Sequence, residues 1–409
     1  MKKSVLKKYA HLAVKAGVNV QKGQDVMVIA NVDQEELVSY IVEECYRQNA
    51  NYVDVRWTSD KVSKIAYKKA SVKALSYIPE WRIEREKEIN RTLPCVIFIE
   101  SSDPDSLKGV NQHKLAEIHK KIAPIMKPFR EERENKYQWL VIGAPSKEWA
   151  KKVFPNLSTK KAIEALWNAI LKTSRCDGED PIKDWAEHET DLKKRSEYLS
   201  SLNLDYLHYE SSNGTNFKVW LIEDSHFIAG GEHTLGSNVY FNPNIPTEEC
   251  FTSPISGKAE GIVYSTKPLS YQGELIENFS IRFEKGKAVE VHAEKGEELL
   301  KHMINMDEGA CKLGEVALVP YDSPINNTNI LFYNTLYDEN AACHLALGLG
   351  FNNTINDFHK YSMKELRAKG INDSSIHVDF MIGSKDLNIT GYTRDGKKVQ
   401  IFKNGNWAF

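Results

Sequence analysis

Four short apolar runs separated by helical stretches constrain the first half of this 409-residue chain more than anything else in it. They are Val26-Met27-Val28-Ile29-Ala30, Tyr52-Val53-Asp54-Val55-Arg56-Trp57, Val96-Ile97-Phe98-Ile99 and Trp139-Leu140-Val141-Ile142-Gly143. The second alternates apolar and polar residues, as a half-buried strand does; the others are unbroken, as fully buried strands are. A helical stretch from Glu35 to Arg47 separates the first two. Parallel neighbours need a crossover between them, so strands that alternate with helices predict a mostly parallel α/β sheet. No G-x-G-x-x-G motif follows any of these strands, which argues against a dinucleotide site.

The texture changes after a charged helical stretch from about Asp184 to Leu202. Tyr206-Leu207-His208-Tyr209-Glu210 and Phe217-Lys218-Val219-Trp220-Leu221 flank a turn containing Asn213-Gly214, which is a hairpin signal. Two more hairpins are expected around Glu284-Lys285-Gly286-Lys287 and Arg394-Asp395-Gly396, with helices near Lys295 to Met306 and Asn340 to Leu347. The chain exceeds the usual single-domain size. The expectation is therefore an α/β N-terminal domain with a mostly parallel sheet over residues 1–200 and an antiparallel-rich α+β domain over 201–409.

Composition narrows the function classes. Lys+Arg 54 against Asp+Glu 56 leaves a net charge of −2 with no basic block, so nucleic acid is not an expected partner. No stretch approaches the ~20 apolar residues of a membrane span. His11 and Lys15 interrupt the apolar character of the first segment, where Leu6, Tyr9, Ala10, Ala13 and Ala16 fall at helical spacing, so it reads as a folded helix rather than a signal peptide. Six scattered cysteines without a C-x-x-C pair fit a reducing cytoplasm. Cys250 and Cys343 read as small apolar filler.

Common catalytic signatures fail. His188-Glu189 begins an H-E pair, but position 192 is Leu; there is no G-x-S-x-G elbow and no phosphate-binding loop. What remains is a set of acids and histidines in apolar segments. In Ile376-His377-Val378-Asp379-Phe380, strand alternation turns His377 and Asp379 to one face, roughly 6.5 Å apart and able to close onto one ion. A structural His–Asp hydrogen bond fits the same pattern. Glu315 stands near the start of the apolar run Lys312 to Pro320, where a solvated strand end is the plainer reading. Glu248 and Glu249 lie in a proline-bounded segment, where a solvated pair is the plainer reading; an extended backbone turns only one of them to any given centre. His344 follows a helix start at Asp338 or Asn340 and by itself reads sooner as a core histidine than as a ligand; Glu339 reads equally as a ligand or as a residue placed by the helix dipole. Together these residues form the mixed N/O donor set that suits Zn, Co or Mn, and one bridging carboxylate with terminal ligands on each side is what a pair of ions requires.

At these residues the sequence resembles the aminopeptidase T / aminopeptidase S (PepS) family of two-metal aminopeptidases. The likeness runs essentially end to end: Gly17-Val18-Asn19-Val20-Gln21-Lys22-Gly23-Gln24, Asn244-Ile245-Pro246-Thr247-Glu248-Glu249, Phe251-Thr252-Ser253-Pro254, Asp338-Glu339-Asn340-Ala341, His344-Leu345-Ala346-Leu347-Gly348, the His377 to Gly383 run, and Phe402 to Ala408. The resemblance implies that Glu249 and His344 ligate one metal, that His377 and Asp379 ligate the other, and that Glu315 bridges both. It sets Glu339 near the metals, and it implies a homodimer that removes N-terminal residues from peptides. The sequence departs from the family at Phe351, where the pattern carries a tyrosine; Phe has no hydroxyl to support a developing oxyanion. Tyr321, Tyr333 and Tyr337 are the nearby hydroxyls in sequence. Phe227, at a position where relatives often carry Trp, reads as a packing change.

The expected chemistry is metal-assisted peptide hydrolysis in which two divalent ions (Zn, Co or Mn) generate a hydroxide near neutral pH. One ion or an adjoining carboxylate holds the substrate's free amine, and Glu248 is the expected general base. The alternatives are another two-metal amidohydrolase and a catalytically weakened peptide-binding relative. The N-terminal domain is expected to serve dimer building or access control.

Overall fold

A computed structural model describes residues 1–409. The chain forms two compact units, Met1–Ala186 with Gly231–Pro246, and Glu187–Gly230 with Thr247–Phe409. The division falls inside the helix Pro181–Ser201, earlier along it than the expected boundary at residue 200, and a short later segment is counted with the first unit.

The first unit is built on a five-stranded sheet in the order Asn244–Ile245, Trp139–Gly143, Cys95–Glu100, Val26–Asn31, Val53–Thr58, with every neighbouring pair parallel. The four apolar runs supply four of these strands. Their crossovers are helical: in Glu35–Arg47 the buried residues Leu37, Val38, Ile41 and Cys45 recur at the three- and four-residue spacing of one helix face. The fifth strand, Asn244–Ile245, is too short to carry a period that could be read in advance.

In the second unit a five-stranded antiparallel sheet runs His377–Met381, His344–Gly348, Leu313–Leu318, Cys250–Thr252, Ile228–Ala229. A nine-stranded antiparallel sheet holds all three expected hairpins, Leu204–Glu210 with Asn216–Leu221, Glu274–Glu284 with Lys287–Lys295, and Asn388–Thr393 with Lys398–Lys403. One face of the smaller sheet presents Val316, Leu318, Leu345, Leu347, Val378 and Phe380 to a core shared with Phe217, Phe279 and Phe283. Each such side chain removed from water stabilises the unit by about 1.5–3 kcal/mol. Strand alternation then leaves Glu315, His344, Ala346, His377 and Asp379 on the opposite face, whose register the core fixes.

One element differs from expectation. His344 stands on a strand, His344–Gly348, and not in a helix spanning Asn340 to Leu347; helical structure stops at Thr335–Asp338 and a 3-10 turn, Glu339–Ala341. All five strand residues are buried between two other strands, and that tertiary pairing overrides the helix propensity of Ala and Leu. The expected helix near Lys295 to Met306 is present as Glu297–Ile304.

Candidate metal centre

Cross-strand pairing assembles the centre. Glu315 pairs with Ala346, and Ala346 pairs with Asp379, so two carboxylates flank a single methyl group. That small residue leaves room in front of the sheet between them. His344 lies one row away, opposite Ala317 and Met381, and His377 lies on the other side, opposite Gly348. Glu249 precedes the strand Cys250–Thr252. The neighbouring thiols point away: Cys250 and Cys343 belong to the apolar core, and burial pushes the Cys343 thiol up to about 12.

Two groups of donor atoms result, Glu249–Glu315–His344 and Glu315–His377–Asp379, each with its ligand atoms within 4.8 Å of one another. Glu315 is common to both, and its oxygens divide between them. Oε1 lies 3.9 Å from His344 Nε2 and Oε2 lies 3.1 Å from His377 Nε2. His344 Nε2 is 3.2 Å from Glu249 Oε2, and His377 Nε2 is 3.2 Å from Asp379 Oδ1.

The ring orientations are set from behind. His344 Nδ1 donates to the Ala342 carbonyl at 3.2 Å and His377 Nδ1 to the Leu349 carbonyl at 2.7 Å. A ring that donates from Nδ1 offers the lone pair of Nε2 when neutral, the arrangement in which imidazole binds a metal. Here both Nε2 atoms face carboxylate oxygens, so the centre demands positive charge at two points. Burial opposes charge on His344, but the hydrogen bond to Glu249 and the fields of Glu249, Glu315 and Asp379 outweigh it and raise the ring to about 10. Burial likewise opposes charge on His377, and Asp379 and Glu315 outweigh it. Burial raises Glu315 to about 6 against the hydrogen bond from His377. Asp379 Oδ1 is buried, and its neighbour at 3.2 Å is the same His377 Nε2, in a geometry short of a well-aligned hydrogen bond, which leaves the oxygen open to a cation. The donor set therefore fits divalent metal.

The remaining expected site residues lie outside both groups. Glu248 is buried, with its carboxylate 3.7 Å from His188 Nε2, and His188 donates to the Thr247 carbonyl at 2.7 Å. His188 is a neighbour of the centre that the failed H-E motif gave no reason to single out. Glu339 is raised well above the usual carboxylate range, first by burial and then by Asp379 and Glu249. It lines a cavity of about 10 Å³ together with Asp338 and Asp379, room for about one water molecule. Asp338 accepts from the Phe332 and Asn334 amides, and burial raises it to about 7 against those bonds. Phe351 packs on the rings of His377 and Phe251. Of the three tyrosines nearby in sequence, Tyr337 is buried and stacked on Phe332 at 4.7 Å, and Tyr321 is exposed.

A sheet face with two carboxylate–imidazole groups sharing one glutamate defines a metalloenzyme. The family model for thermophilic metalloprotease (M29) matches residues 2–407, and the chain belongs to that family. It is 44% identical to "Aminopeptidase AmpS" of Bacillus subtilis (strain 168), over 99% of this chain and 98% of the relative. It is 36% identical to "Aminopeptidase T" of Thermus thermophilus, over 98% of each. The solved structure of wild-type AmpT from Thermus thermophilus superposes with a TM-score of 0.90 at 35% identity, covering 100% of both chains. The expected family and fold class are thus met.

Proposed function

We propose that this metal-dependent aminopeptidase works with two divalent ions, one held by Glu249 and His344, the other by His377 and Asp379, with Glu315 spanning them. The observation that carries this reading is the division of Glu315, one oxygen toward each imidazole. Charge supports the count. Glu249, Glu315 and Asp379 are buried together, and with neutral imidazoles three carboxylates carry more negative charge than one divalent ion neutralises. Left uncompensated, buried charges of this kind cost several kcal/mol each.

When bound, such ions acidify a water molecule and polarise the scissile carbonyl. The chain's own residues do the rest. Glu339 feels the charges of Asp379, Glu249, His344 and Glu315 while standing outside both donor groups, which suits it to carry the proton. Its Oε1 accepts from Asn340 Nδ2 at 3.3 Å, leaving Oε2 to take a proton from the attacking water and return it to the leaving nitrogen. We assign Glu248, set against His188, to support of the Glu249 segment rather than to the general-base role expected from sequence. The carboxylates gathered at the centre, Glu249, Glu315 and Asp379, favour a substrate with a free amine, which restricts cleavage to peptide N-termini. Phe351 supplies no oxyanion donor, so turnover is slower than with a hydroxyl at that position unless another group provides one.

Zn, Co and Mn all suit the N/O donor set. The six cysteines are free, as in a reducing compartment, and no helix is long and apolar enough to cross a membrane; we place the enzyme in the cytoplasm. The N-terminal domain is assigned to dimer building or access control. In support of a homodimer, the helices Asp60–Lys69 and Val72–Leu75 bury no residue, and Val62 and Ile65 on the first and Tyr77 just after the second are exposed.

The reading is tested by stripping metal with a chelator, assaying leucine and arginine anilides, and restoring Zn, Co or Mn separately. Activity that is lost and then recovered with at least one ion supports it. Activity indifferent to the chelator, with the metal shown to be gone, contradicts it.

A further inference from the structure

Glu249 can serve the centre only if its segment keeps register. Extended backbone turns Glu248 and Glu249 to opposite sides, and Cys250 turns back into the core. A slip of one residue would present the wrong side chain and push Glu249 toward the core. Two side chains grip this segment by its main chain. His188 Nε2 donates to the Thr247 carbonyl at 2.7 Å, and Asn340 Oδ1 accepts from the Glu248 amide at 2.7 Å.

Asn340 has no exposed surface. Its amide group works in both directions. While Oδ1 holds the Glu248 amide, Nδ2 donates to the Leu336 carbonyl at 3.0 Å and to Glu339 Oε1 at 3.3 Å. It sits in the 3-10 turn Glu339–Ala341, which leads through an extended Ala342 into the strand that begins at His344. One side chain therefore ties the segment bearing Glu249 to the segment bearing Glu339 and His344. Only an amide offers an acceptor and donors on one planar group at this reach.

We propose that Asn340 is a positioning residue of the metal centre, setting the Glu249–His344 separation at which one ion is held and aiming the Glu339 carboxyl. The inference rests on the two-ion reading above. Asn340 touches no donor atom of either group, so its effect on metal is transmitted through the Glu248 amide and the turn.

The test is calorimetric titration of zinc chloride into the chelator-treated, dialysed full chain. Wild type gives two binding steps, and the step that His344→Asn removes belongs to the Glu249 side. A wild type with a single step overturns the two-ion reading itself, whatever the variants do. With two steps present, Asn340→Ala weakens the Glu249-side step by about tenfold or more and leaves the other within about threefold, the range expected for a lost outer partner of a metal ligand. Asn340→Asp keeps the acceptor for the Glu248 amide, so it restores that step to within about threefold of wild type. Equal weakening of both steps, no weakening of either, or no recovery in Asn340→Asp overturns the proposal. If Asn340→Ala does not fold, Asn340→Asp decides alone: a tenfold loss at the Glu249-side step means the bond to Glu248 is not what holds Glu249.

Discussion

Phe351 lies with its ring centroid 4.9 Å from that of His377, the planes inclined by 54°. An aromatic ring thus packs on a metal-ligand candidate and brings it no hydroxyl. Phe351→Tyr is expected to raise kcat on leucine anilide by about tenfold with KM little changed, since an oxyanion donor acts in the transition state. Steady-state kinetics check this, and an unchanged kcat means that the donor is supplied elsewhere.

Glycine is required beside the centre for a steric reason. A Cβ at Gly314 would stand 2.2 Å from the Leu349 carbonyl oxygen, the atom that orients His377. Gly314→Ala is expected to displace that oxygen, lower Tm, and weaken zinc by about 10- to 100-fold, as loss of an outer partner does. Melting and metal titration of the same sample separate the two effects; zinc affinity unchanged alongside a lower Tm would show that the Leu349 carbonyl does not govern the ligand.

Glu339 and Glu248 make opposite predictions. Glu339→Gln keeps a side chain of the same shape and is expected to retain both ions while losing on the order of 100-fold in kcat, the scale of a lost proton carrier. Glu248→Gln keeps most of kcat. If Glu248→Gln abolishes turnover with metal intact and Glu339→Gln does not, the two roles exchange.

Much of this centre was legible in the sequence, for reasons that differ by residue. Strand alternation is local, so it could turn His377 and Asp379 to one face; the apolar run around Glu315 reads as a strand, but nothing in it separates a buried carboxylate from a solvated strand end. The faces of Cys250 and Cys343 followed from the same period once the strands were known. His344 was placed in a helix because its neighbours are good helix formers, and only pairing with two flanking strands decides otherwise. His188 and Asn340 were silent, since their importance lies in hydrogen bonds to main-chain groups far away in sequence. The return of Asn244–Ile245 to the parallel sheet was invisible for a similar reason: two residues carry no pattern.

Asp307 governs the approach to His377. It accepts from the Ser375 amide at 2.7 Å, from Ser374 Oγ at 2.8 Å and from the Ala310 amide at 2.9 Å. Burial works to raise its carboxyl, but these bonds outweigh it and hold the group below the usual carboxylate range. A depressed carboxyl adds stability above its unfolded value and loses it as pH falls through the folded value. Wild type should therefore melt higher than Asp307→Asn at pH 7, and the difference should shrink toward zero as pH drops through about 4 and below. A difference that persists at pH 2.5 would assign the effect to shape rather than charge.

Glu315 is the residue on which the account turns, so the most direct measurement is the number of metal ions per chain, read by plasma mass spectrometry on zinc-loaded, dialysed wild type and Glu315→Gln. The account predicts two ions in the wild type and no more than one in the variant, with turnover lost. Two ions retained by Glu315→Gln, or a single ion in an active wild type, would contradict the shared carboxylate.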